Sequence, residues 1–111
     1  MTEEKKLIEA TCPECRGPLT EIRHDNISEY RCLVGHRYST RGVLQAHSEA
    51  QEKALWAAVV ALEEAANLAR AVSDQFPRET AERLVAQGER RLQQALEIRK
   101  LLQDLEPFQT E

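Results

Sequence analysis

The chain is poor in aromatic residues: Tyr30, Tyr38, Trp56, Phe76 and Phe108 are all it has. A thick aromatic core is therefore out of reach. It also lacks a long apolar run. The longest, Ala54 to Leu62, spans nine residues, against the ~20 that a bilayer-crossing helix requires. Met1-Thr2-Glu3-Glu4-Lys5-Lys6 leads into no apolar stretch of the signal-peptide kind, so a soluble, cytoplasmic protein is expected. With 111 residues there is room for one domain, or for a small module with an appendage. A barrel of ~250 residues is excluded. At 41% hydrophobic and 31% charged residues, the composition is not that of a disordered chain.

An excess of positive charge is missing too. Residues 1–41 hold seven Lys/Arg and seven Asp/Glu, whereas residues 42–111 hold eight and twelve and carry the whole net charge of −4. Neither part offers the basic field that drives binding to a phosphate backbone, and no nucleic-acid or membrane partner is expected. Catalytic motifs are equally scarce. Ser28, Ser39, Ser48 and Ser73 stand in no nucleophile elbow, and there is no glycine-rich phosphate loop. Glu63 and Glu64 are neighbours in sequence, so on a helix they point in different directions and read as a solvated face. Arg90-Arg91 is too small a basic patch to mean more. The chain is expected to be no enzyme, with no catalytic residues and no organic cofactor.

What is present is a sharp change of composition near residue 40. Before it lie Pro13, Gly17, Pro18, Gly35 and every cysteine; after it come Ala, Leu, Gln, Glu and Arg, the strong helix formers, broken by Pro77. In the first part Leu19–Arg23 and Ile27–Cys32 alternate apolar and polar around His24-Asp25-Asn26, which predicts a β-hairpin. Two strands alone are marginal in water, so something must support them. In the second part Leu55, Val59, Leu62, Ala66, Ala69 and Phe76 form one helical stripe. Leu84, Gly88, Leu92, Ala95, Ile98, Leu102 and Leu105 form another. The predicted class is α+β: a zinc ribbon over residues 1–39, then an antiparallel helical hairpin over 40–111. Its helices fall at about 40–75 and 78–106, the first capped by Ser39 or Thr40.

The support for the hairpin is written in Cys12-Pro13-Glu14-Cys15 and Cys32-Leu33-Val34-Gly35-His36. This C-x2-C…C-x3-H pattern supplies three thiolates and one imidazole, a complete tetrahedral set, and three cysteines cannot pair off as disulfides. Zinc suits that donor mixture, although Fe(II) or cobalt would also enter it in vitro. Two other readings compete. Three cysteines could be small buried hydrophobes, but those rarely fall in paired short spacings. Cys12 and Cys15 could form a redox pair, but no βαβ pattern surrounds them and a third cysteine is left over. A c-type haem is ruled out because Arg16, not histidine, follows Cys15. Four strong ligands leave no position open for water, so one structural Zn²⁺ is expected at Cys12, Cys15, Cys32 and His36. Gly17 and Gly35 are expected to supply the left-handed backbone that such knuckles need. His24 reads as a solvated turn residue, and His47 as a boundary residue facing the ribbon.

The run Ala54–Leu62 is apolar all round, more than one antiparallel helix can cover. Its uncovered part centres on Trp56 and Val60. Either Trp56 packs on the ribbon, or the two residues form a partner surface, such as the seam of a homodimeric four-helix bundle.

Cys12–Leu19, Tyr30–Ser39, Ala54-Leu55-Trp56-Ala57-Ala58 and Leu62-Glu63-Glu64 together resemble the C-terminal extension of some bacterial chemotaxis protein-glutamate methylesterases, over roughly residues 10–75. The resemblance implies the same ligands, Cys12, Cys15, Cys32 and His36. It also implies a non-catalytic protein–protein interaction module linked to bacterial chemotaxis or signalling. That family's esterase activity belongs to a separate α/β domain whose serine, histidine and aspartate have no counterpart here. Arg16 replaces the usual first glycine of the knuckle, and Val60 a position often charged. The alternatives are a nucleic-acid-binding zinc ribbon, or an accessory part of a methylesterase whose catalytic chain acts in trans.

Overall fold

The computed structural model describes residues 3–111 and has four strands followed by two long helices. The strands are β1 (Glu3–Thr11), β2 (Pro18–His24), β3 (Ile27–Cys32) and β4 (Arg37–Ser39). They form one antiparallel sheet in the order β1-β2-β3-β4. The predicted hairpin is β2–β3, with His24 opposite Ile27 and Asp25-Asn26 at the turn. Asp25 takes φ 57 there, a left-handed conformation that Asp tolerates better than most residues because its short side chain can bond locally.

β1 has no counterpart in the sequence reading, and the reason is physical. Its first half, Glu3-Glu4-Lys5-Lys6, shows no apolar–polar alternation. It is matched to β2 by charge instead: Glu3 faces His24, Glu4 faces Arg23 and Lys6 faces Glu21. Opposite charges directly across a ladder each contribute a few tenths of a kcal/mol, up to about 1. Lysines on an edge strand also discourage further strand addition.

The chain forms two compact units, Met1–Gln51 with Pro107–Glu111, and Glu52–Glu106. In the first, the core is small: Cys12, Leu19, Cys32 and Val43 are buried, with Tyr30 and Tyr38 packed against them. Val43 comes from helix α1 (Thr40–Val72), whose start is capped where the Gly42 N–H donates to Ser39 Oγ at 3.0 Å.

In the second unit the rest of α1 turns through a 3₁₀ segment, Ser73–Gln75, into α2 (Arg78–Asp104). Both predicted stripes lie inward. Val59, Ala66, Gly88 and Ala95 are buried, and Leu55, Leu62, Leu84, Leu92, Ile98 and Leu102 are half-buried. Phe76 departs from its stripe. It sits in extended backbone at the turn, exposed, because the helix has already ended. The two segments approach closely at small residues: a Cβ on Gly88 would lie 3.3 Å from the Ala66 carbonyl oxygen. Ion pairs Arg99–Glu63 at 3.1 Å and Arg70–Glu89 at 3.0 Å flank the contact. Among the described residues no helix is long and apolar enough to cross a membrane.

A large side chain at position 88 has nowhere to go, since the nearest atoms belong to backbone. Gly88→Leu gains helix propensity of about 1 kcal/mol, yet overpacking of this kind typically costs about 1–3 kcal/mol. The helical signal of Gly88→Leu should therefore melt at lower urea concentration than that of the unmodified protein.

Candidate metal centre

The sheet register brings the two cysteine-bearing turns together. Thr11 pairs with Pro18, and Leu19 pairs with Cys32, so the Cys12–Gly17 and Cys32–His36 segments emerge at one end of the sheet. The first turn is closed by the Cys12 N–H donating to the Gly17 carbonyl at 2.8 Å, and by the Arg16 N–H donating to the Cys12 carbonyl at 2.9 Å. The left-handed residue is Arg16, at φ 64, and not Gly17 as expected from the sequence. The turn closes one residue early, so the strained conformation falls on the arginine. Gly17 lies against the cluster, where a Cβ would sit in van der Waals contact with Cys15 Sγ at 3.4 Å. The second turn behaves as anticipated, with Gly35 at φ 109. Its backbone is aimed at sulfur: the His36 N–H donates to Cys32 Sγ at 3.3 Å.

The structure gathers all four predicted ligands. One ligand atom from each of Cys12, Cys15, Cys32 and His36 lies within 4.8 Å of all the others, an arrangement that could hold a metal ion. His36 Nδ1 is 3.5 Å from Cys12 Sγ and 3.3 Å from Cys32 Sγ, and Cys15 Sγ is 3.6 Å from Cys32 Sγ. The three thiols are free of disulfides. Cys12 and Cys32 are buried, whereas Cys15 lies at the rim.

Two further residues touch the cluster and were not picked out from the sequence. Glu14 accepts from His36 Nε2 at 3.0 Å and from the Tyr38 hydroxyl at 2.9 Å. That hydroxyl also sits 3.4 Å from Cys12 Sγ. A signal for both existed: Glu14 is inside the C-x2-C turn, and Tyr38 is two residues beyond His36 on an extended segment, hence on the same face. The other histidines lie elsewhere. His24 pairs with Glu3 at 2.8 Å, and His47 Nε2 is 2.9 Å from the Thr11 carbonyl, tying the start of α1 to the end of β1.

The environment favours thiolate at the two buried cysteines. Burial pushes the Cys12 thiol up, but hydrogen bonds from Tyr38, the backbone and Cys15 outweigh it and bring its pKa down to about 6. Cys32 is likewise pushed up by burial and brought down overall by backbone N–H groups and Cys15. Backbone bonding at Gly17 favours the Cys15 thiolate, yet burial and the two sulfurs beside it leave Cys15 raised. His36 is raised by its bonds to Cys12 and Cys32.

No protein-family model, curated protein or solved structure matches this chain.

Because its folded pKa is depressed, the Cys12 thiolate stabilises the metal-free sheet unit above the unfolded thiol value, ~8.5. That stability is lost as the pH falls through about 6. Thiolate ultraviolet absorbance of metal-free protein should persist down to about that pH, and Tyr38→Phe should move the lowest midpoint upward. An unshifted midpoint in Tyr38→Phe would remove the hydroxyl from this account.

Proposed function

We propose that the chain is a non-catalytic interaction module, in which one structural Zn²⁺ fastens the sheet unit and the helical hairpin presents a face to another protein. The observation that carries the zinc reading is the spacing of the donors. Tetrahedral zinc with Zn–S of about 2.3 Å and Zn–N of about 2.0 Å has S···S edges of about 3.8 Å and S···N edges of about 3.5 Å. The cluster holds 3.6 Å between Cys15 and Cys32 Sγ, and 3.5 and 3.3 Å from His36 Nδ1 to two sulfurs. Three thiolates and an imidazole exhaust a four-coordinate ion, so no site is left for a reacting water. In the metal-bound form the ion supplements the small hydrophobic core of the sheet unit. Zinc, when bound, supplies the cross-link between the two turns; the chain's own residues supply the cage.

The partner face is supported by exposure. Trp56 is 44% and Val60 49% exposed on the helical unit, although both are large apolar side chains. Arg99 lies over the indole with its guanidinium carbon 5.3 Å from the ring centroid, a cation–π contact beside this exposed surface. Tryptophan and arginine are the residues most enriched where binding energy concentrates. A second copy of the hairpin, completing a four-helix bundle, is the occupant to test first. A place in chemosensory signalling is supported by the residues shared with the methylesterase extension.

Two measurements decide these points. Elemental analysis of freshly purified protein should find one zinc per chain. Cys32→Ser should bind it at least tenfold more weakly, and a strong chelator should lower the urea midpoint of the sheet unit without abolishing its fold, since structural zinc stabilises small domains strongly. Folded, metal-free protein from native purification overturns the zinc reading. Trp56→Ala combined with Val60→Glu should reduce self-association by sedimentation without changing zinc content; an unchanged sedimentation profile overturns the homodimer.

A further inference from the structure

We infer that Glu14 is a positioning residue for the metal centre: it accepts the hydrogen bond of the His36 Nε2–H, which commits Nδ1 to the ion, and Tyr38 braces the same carboxylate from behind. The inference rests on the metal reading above and extends it to two residues outside the ligand set.

The geometry leaves the histidine little choice. Nδ1 points at Cys12 and Cys32 Sγ, at 3.5 and 3.3 Å, while Nε2 points the opposite way, 3.0 Å from Glu14 Oε2. A neutral imidazole has one proton and one lone pair on its two nitrogens. A carboxylate can accept but not donate, so the proton settles on Nε2 and the lone pair on Nδ1 faces the sulfurs. Glu14 is itself held at its second oxygen by the Tyr38 hydroxyl at 2.9 Å, and that hydroxyl stands 3.4 Å from Cys12 Sγ. The contacts form a closed ring: Cys12, Tyr38, Glu14, His36 and back to Cys12.

The positions in the chain explain how such a ring is built. Glu14 lies between the two cysteines of the first turn, whereas His36 and Tyr38 belong to the second turn and to β4. The ring therefore links the two halves of the cage independently of any ion. Carboxylates that orient ligating histidines are typically worth about 10–100-fold in metal affinity. Glu14 is open to water, its side chain 58% exposed, which places it at the lower end.

The test uses the full chain loaded with zinc, its affinity read by competition with a chromophoric chelator and its His36 ring read by nitrogen-15 NMR. Glu14→Ala should retain one zinc per chain but bind it about tenfold more weakly. The His36 Nε2 proton signal should then be lost to exchange with water. Glu14→Gln, whose amide oxygen still accepts from Nε2, should recover part of both. Tyr38→Phe should fall between the alanine variant and the unmodified protein. Unchanged affinity together with a retained Nε2 proton in Glu14→Ala overturns the inference. If that variant does not fold, unmodified affinity in Glu14→Gln and in Tyr38→Phe overturns it equally. Failure of the unmodified protein to take up zinc would instead defeat the metal reading itself.

Discussion

Everything in the first unit depends on four donor atoms meeting at one end of a thin sheet. Its main buried cluster is Cys12, Leu19, Cys32 and Val43, with Ile22 buried as well, and two of the four cluster residues belong to the candidate metal centre. A unit of this size is marginal when held by apolar burial alone. Cys12 and Cys32 would thus serve twice, as buried side chains of that cluster and as part of a metal cross-link between the two turns. Changing either cysteine to a hydrophobe would keep the burial and lose the link, which is why no apolar replacement is equivalent.

The ligands were legible in the sequence because metal coordination imposes local spacing. A two-residue gap and a three-residue gap are each short enough that one turn must present both donors. The helices were legible for a related reason: a 3.6-residue period repeated over many turns leaves few alternatives, and Val59, Ala66, Gly88 and Ala95 lie inward as the stripes require. β1 was not legible. Its pairing depends on Glu4 meeting Arg23 and Lys6 meeting Glu21 across the ladder, a relation between distant residues that no local pattern encodes. Arg16 illustrates the same limit on a smaller scale. Glycine is the residue that tolerates positive φ best, but the hydrogen bonds of the turn decide which position receives it, and they place it one residue earlier.

The helical unit solves a different problem with different means. Its inward stripes combine Val59 and half-buried leucines with the small residues Ala66, Gly88 and Ala95, and the backbones come close at Gly88 and Ala66. Close approach gains dispersion contacts at the expense of area. The larger apolar residues on these helices, Trp56, Val60, Leu68, Leu96 and Leu101 among them, stay substantially exposed. A two-helix hairpin can cover only one stripe per helix, so the residue types that would fill a bundle core are present without the bundle. That mismatch, and not the mere presence of exposed leucine, is what gives the partner reading its physical content.

Charge then decides which kind of partner is compatible. Three thiolates and a neutral imidazole around a divalent cation would leave the proposed metal centre with one net negative charge, with the Glu14 carboxylate beside it. Residues 42–111 already carry the chain's whole excess of acid. A phosphate backbone approaching residues 42–111 would meet net like charge, and residues 1–41, with seven cationic and seven acidic side chains, offer no net attraction. A protein surface makes no such demand. It can bury the apolar face of Trp56, leave the Arg99–Glu63 pair at the wet rim where it costs little, and offer its own basic residues to the acidic remainder. The same electrostatics that count against nucleic acid therefore narrow the protein partner. It should either be basic around an apolar centre or, if it is a second copy, bring its acidic flanks to the outside of the bundle, where salt screens them.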